Sequence, residues 1–137
     1  MVVADTGAVL ALIDADDRYH REILSLYDED PGSWIFPWAI LPEVDYLLAA
    51  HVGPEAELAF VRDVADGGFA VEWGRQADLE RARDLCARHR SLRLGLVDAV
   101  VVAVAERLRA EAIATLDYRH FGAIDIAGSP RLLPRDR

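Results

Sequence analysis

Residues 94–121, LGLVDAVVVAVAERLRAEAIATLDYRHF, decide the fold, because they hold two acids where acids are expensive to bury. The stretch from Leu96 to Leu108 is long for a strand and ends in AERL, a run of good helix formers, so its valines do not make it sheet. Residues 99–105 are apolar on every helical face, which predicts a helix buried nearly all round. Asp98 stands at the head of that run. Its helical neighbours three and four places away are Leu94, Gly95, Val101 and Val102, and none carries a charge. Arg109 returns to the same face, but the rise of 1.5 Å per residue puts it roughly 16 Å away. The compensating charge has to come from another segment or from a metal ion.

Asp117, the second acid, follows Ala112, Ile113 and Ala114, a short apolar run of the length a buried parallel strand has. Thr115 and Asp117 then alternate onto one side. Ligands of open α/β sheets sit beyond the carboxyl ends of the strands, so this strand aims both residues at a site.

A chain of 137 residues with 53% hydrophobic content suffices for a single domain, residues 1–137, around a single core. The longest apolar run is the seven residues 99–105, against the ~18 needed to span a bilayer, so no membrane contact is expected. The start, MVVADTGA, has no basic region before its first acid and does not read as a signal peptide; a single cysteine, Cys86, suits a reducing cytoplasm. A net charge of −9 argues against a generic nucleic-acid coat, which rests on excess basic residues. It leaves room for a nuclease, since acids that hold divalent cations are negative before the metal arrives. All fifteen basic residues are arginines, good phosphate forks, and the absence of lysine removes every mechanism that needs one.

Residues 2–4 read as a buried strand ending at Asp5, with Thr6 placed to cap a helix over 8–13. Asp5 itself reads either as a helix cap or as a site residue. The triplet Asp5-Thr6-Gly7 also spells the aspartic-protease signature, but those enzymes are all-β and this chain is mostly helix-forming. No serine sits in a nucleophile elbow. Further helices are predicted from Asp16 and Asp17 to Tyr27, from Pro37 through Glu43, over 55–66 and over 78–90. Strands are predicted at 34–36, 69–71 and 123–126. Glu43 has Ala39, Ile40, Tyr46 and Leu47 as helical neighbours and no local cation; it is either a site residue or a carboxylate at the end of its face that reaches solvent. His20, His51, His89 and His120 lack metal-ligand spacing and read as surface or hydrogen-bonded; Trp34, Trp38 and Trp73 read as core or partner surface. The alternation of strands and helices implies an α/β fold, a mostly parallel central sheet with helices on both faces in three layers. Asp5, Glu43, Asp98 and Asp117 would converge at one sheet edge, and ligation by oxygen alone favours Mg2+ or Mn2+.

Four blocks, VVADTGAVLALID, LPEVDYLL, LGLVDAVVVAVAERL and IATLDYRHFGAI, occur in an order and spacing that resemble the PIN-domain ribonucleases, and among them the VapC-type toxins of bacterial toxin-antitoxin pairs. The resemblance covers essentially the whole chain, although Gly7 stands where many relatives carry serine. It implies a PIN-like fold and metal-dependent endonucleolytic cleavage of RNA. It also implies a VapB-type antitoxin partner and a homodimer. Carried over residue by residue, the site is Asp5, Glu43, Asp98 and Asp117, with Thr115 in support. Asp5 and Asp98 would contact metal directly, and Glu43 and Asp117 would serve a second metal or orient water. An antitoxin helix would lie against Leu10, Ile13, Ile23, Leu26, Trp38 and Leu47. A phosphate-accepting receiver or a haloacid-dehalogenase-like phosphatase typically needs a lysine and finds none. A catalytically silent interaction module on the same fold is the alternative, and the presence of all four acids argues against it.

Overall fold

The computed structural model describes residues 1–137. Five short strands, β1 (Val2–Ala4), β2 (Trp34–Pro37), β3 (Ala70–Glu72), β4 (Ala112–Ala114) and β5 (Arg131–Leu133), pair in the order β3-β2-β1-β4-β5, and every pairing is parallel. Two of the three inner strands, β1 and β4, are runs of Val, Ala and Ile, as strands covered on both faces require.

Helices α1 (Thr6–Ile13) and α2 (His20–Glu29) connect β1 to β2, and α3 (Leu41–His51) and α4 (Pro54–Ala65) connect β2 to β3. Helices α5 (Gln76–Arg88) and α6 (Leu96–Leu108) carry the chain back across the sheet to β4, and the single turn α7 (Tyr118–Phe121) leads towards β5. Parallel crossovers are right-handed, so connections that step in opposite directions from β1 lie on opposite faces. The first four helices therefore cover one face and α5 and α6 the other. Direction reverses between β1 and β4, and the gap beyond the carboxyl ends of those neighbours is where such sheets bind ligands.

Helix α6 is buried from Ala99 through Ala105, as its uniformly apolar sequence requires, and it anchors a continuous core of 33 residues. Its outer flank is tied to α5 and β3 by ions. Arg107 donates to both oxygens of Asp78, at 2.8 and 3.0 Å, and to Glu72 at 2.7 Å, while Arg81 pairs with Glu106.

Several boundaries move from their sequence expectation for identifiable reasons. Strand β2 runs through Pro37, a 3-10 turn (Trp38–Ile40) follows, and α3 starts only at Leu41 with Pro42 in its first turn, where a missing N–H costs nothing. Asp16 and Asp17 precede α2 in a turn in which the Asp17 carboxylate accepts from the Tyr19 N–H. The last strand is Arg131–Leu133 rather than 123–126: Ile124 and Ile126 are buried and Asp125 is exposed, so the alternation is real, but the segment pairs with no strand. Trp34 is core and packs edge-on against Tyr27, whereas Trp73 is exposed. Ile23 and Leu26 are also core, so they cannot receive an antitoxin helix; Leu10, Ile13, Trp38 and Leu47 stay partly open.

Candidate active site

The register of β1 on β4 pairs Ala4 with Ala114, so the next residue of each strand, Asp5 and Thr115, emerges side by side at the switch point. Asp5 N–H donates to the Ala114 carbonyl at 3.0 Å, and Thr115 N–H to that of Leu133 at 2.9 Å, extending both ladders one step. Asp5, not Thr6, caps α1: its Oδ1 accepts the Ala8 N–H at 2.8 Å. Two good capping residues stand next to each other here; the cap falls one residue earlier than the sequence suggested, and the helix begins at Thr6 rather than at Ala8. Thr6 Oγ1 is left buried without a hydrogen-bond partner.

The other Asp5 oxygen, Oδ2, accepts from the Thr115 hydroxyl, and Thr115 Oγ1 accepts the Asp117 N–H at 2.9 Å. Only 4% of Asp5 and none of Thr115 is exposed. Burial pushes the Asp5 carboxyl up to about 7, against the Thr115 and Ala8 hydrogen bonds and with the help of the Asp98 and Asp117 charges. An acid held in such a place is short of a positive charge.

Asp98 lies in the first turn of α6, where the helix dipole favours an anion, and its side chain is 26% exposed. Burial raises its carboxyl above the ordinary range; Asp117 and Glu43 act in the same direction and His120 against it. Asp117 caps α7 through the His120 N–H at 3.1 Å and is the more open acid, at 41%. Glu43, in the first turn of α3, is exposed rather than set on a buried face, because its helical neighbour Tyr46 points to solvent. It reaches the group through its charge on Asp98.

His120 is the group that spacing rules miss. Its Nδ1 is 3.1 Å from Asp98 Oδ2 and 2.9 Å from Asp117 Oδ2, and its Nε2 is 3.0 Å from the Leu92 carbonyl. Burial lowers its basicity, but the Asp98 hydrogen bond and the Asp117 and Asp98 charges outweigh that and raise it. Every partner of the ring is an acceptor, so without another cation both nitrogens carry protons. This is the charge from another segment that Asp98 required. The sequence did carry a trace of it, since Asp117-x-x-His120 on a helical turn puts both on one face.

Together these residues present oxygen donors from three separate elements, one imidazole, no lysine, a strongly raised buried acid and an orphaned hydroxyl beside it. That set fits a divalent cation: ligand atoms of Asp98, Asp117 and His120 lie within 4.8 Å of one another, Asp5 feels the charge of both acids from the buried side, and Glu43 stands at the rim.

Comparison with known proteins gives one answer at both levels. The profile of the PIN domain family matches residues 2–127. Ribonuclease VapC26 of Mycobacterium tuberculosis is 34% identical over 130 residues, covering 95% of this chain and 96% of that protein. Among solved structures, the VapC20 toxin of Mycobacterium tuberculosis, described as cleaving the sarcin-ricin loop, superposes with a TM-score of 0.82 at 23% identity, covering 93% of this chain and 98% of that one. A toxin-antitoxin complex from Klebsiella pneumoniae gives 0.70 at 20% identity, over 90% and 92% of the two chains. FitAcB from Neisseria gonorrhoeae also gives 0.70, at 14% identity over the full length of both. These structural likenesses carry the fold; the profile match and the full-length relative carry the family, and the chain belongs to the PIN-domain family, among its VapC-type members.

Proposed function

We propose that this protein is a metal-dependent endoribonuclease toxin, a single PIN domain acting in the cytoplasm as a homodimer and neutralised by a VapB-type antitoxin. The observation that carries the reading is the joining of Asp5, Thr115, Asp98 and Asp117 at the sheet's switch point, in a chain matched along its length by a ribonuclease. The toxin-antitoxin complex among the structural neighbours supports the partner. No helix is long and apolar enough to cross a membrane.

A divalent ion held by these acids would supply a more acidic bound water as nucleophile and would offset charge developing on the phosphate. Asp5, gripped on one oxygen by the Ala8 N–H and on the other by the Thr115 hydroxyl, cannot rotate away and presents a fixed carboxylate. Asp98 is set by the first turn of α6. Asp117, the most open of the three buried-edge acids, faces the substrate side and orients water, and Glu43 guards the rim. Arg93 and Arg119 are exposed and outside every ion pair, and they flank Leu92 and His120, so they are the arginines placed to meet RNA phosphates across an otherwise acidic mouth.

Brief induction of the protein followed by mapping of new 5′ ends in total RNA tests this reading. A small set of reproducible cleavage positions, absent with Asp98→Asn and suppressed by the co-expressed antitoxin, supports it. An RNA profile unchanged from that of the Asp98→Asn control would favour the silent interaction module.

A further inference from the structure

Carboxylates supply the oxygen donors of the site, and a nitrogen stands between two of them. His120 Nε2 lies 3.0 Å from the Leu92 carbonyl, which can only accept, so Nε2 carries a hydrogen and Nδ1 is the nitrogen available to another partner. Metal-bound histidines are oriented in this way, one nitrogen on the ion and the other donating to a carbonyl or carboxylate. Nδ1 is 2.9 Å from Asp117 Oδ2 and 3.1 Å from Asp98 Oδ2, and the three ligand atoms lie within 4.8 Å of one another. Adjacent ligands of an octahedron with bonds of about 2.1 Å stand about 3.0 Å apart, so both nitrogen–oxygen separations already match ligand edges.

We propose that His120 Nδ1 is a direct ligand of the divalent ion held by Asp98 and Asp117, which makes the centre a mixed nitrogen and oxygen site that prefers Mn2+ to Mg2+. The inference rests on the metal-dependent reading above and extends it to a residue and an ion. On binding, the Nδ1 lone pair bonds to the ion and the Nδ1 proton leaves to solvent, so the ring passes from cation to neutral ligand with no change of oxidation state. Imidazole suits transition metals, whereas Mg2+ takes oxygen donors and keeps several of its waters, and that difference is the source of the preference. The Leu92 carbonyl fixes the ring during the exchange, which ties the turn before α6 to the loaded site.

Electron paramagnetic resonance with electron spin-echo envelope modulation, on the full-length protein titrated with Mn2+, reads the ligand without reference to activity. The bound ion should show 14N modulation. Growth on 15N-histidine should replace it with the 15N pattern, a test that needs no substitution. His120→Gln should abolish the modulation and weaken Mn2+ binding on the order of tenfold or more, with a smaller change for Mg2+; His89→Gln should do neither. Bound Mn2+ with no nitrogen modulation in the wild-type protein overturns the proposal and leaves the metal reading standing. Modulation that survives His120→Gln overturns the assignment to this residue. A wild-type protein that binds no Mn2+ overturns both.

Discussion

With chelator present, Asp5→Asn should make the protein more stable above neutral pH and flatten its response to pH. The Asp5 side chain is 4% exposed, and burial raises its carboxyl to about 7, whereas the unfolded chain releases that proton near the ordinary value of about 3.9. The folded state thus holds the proton more tightly than the unfolded state. Stability attached to Asp5 is therefore full below the unfolded pKa and is lost as pH rises through about 7. Roughly three units at 1.36 kcal/mol each amount to about 4 kcal/mol, of which about 2 kcal/mol disappears between about pH 5.5 and 8.5. Asparagine keeps the shape and the acceptor for the Ala8 N–H but weakens the Thr115 contact, a loss of about 1 kcal/mol. Urea unfolding in chelator should show the wild-type protein losing about 2 kcal/mol more than the variant across that range, and the variant standing about 2–3 kcal/mol above it at the alkaline end. Asp98 and His120, both raised, lose stability in the same direction in the two proteins and largely cancel from the comparison. Identical pH slopes, or a variant weaker than the parent at about pH 8.5, would refute the argument that Asp5 is a buried acid short of a cation.

Arg107→Ala leaves Asp78, 2% exposed, without its two-pronged partner, and should cost about 3–5 kcal/mol in a denaturant titration; a cost below about 1 kcal/mol would show that water reaches the carboxylate. Gly74→Ala sets a side chain at φ +87°, with the added carbon 2.4 Å from Trp38 Nε1, and should lower the melting temperature by several degrees, the effect of more than about 1 kcal/mol. Mn2+ at a hundredfold excess over its dissociation constant should add about 2.7 kcal/mol to wild-type stability, and Asp98→Asn should forfeit most of that gain in the same thermal melt.

The parts legible in the sequence are those where one residue type breaks a uniform pattern. Asp98 before seven apolar residues, and Thr115 and Asp117 after Ala112–Ala114, stand out because an acid in an apolar run requires a reason, and the same runs identify α6 and β4. His120 was not legible as a site residue, because its partner Asp98 lies 22 residues away and only the packing of α6 beside α7 brings the two together. Strand β5 was missed because Pro130 and Pro134 bracket it, while Ile124 and Ile126 offer a cleaner alternation that serves burial rather than pairing. The start of α3 shifted because proline is as acceptable at the end of β2 as in a helix's first turn, and local propensity cannot choose between them.

The most direct measurement is cleavage of a defined RNA by the purified protein with Mn2+, with excess chelator, and with Asp98→Asn in its place. Discrete internal cuts with Mn2+, none with chelator and none with the folded Asp98→Asn variant are the predicted result. Equal cleavage in chelator, or by Asp98→Asn, would contradict the account, because it would place the chemistry somewhere other than among Asp5, Asp98 and Asp117.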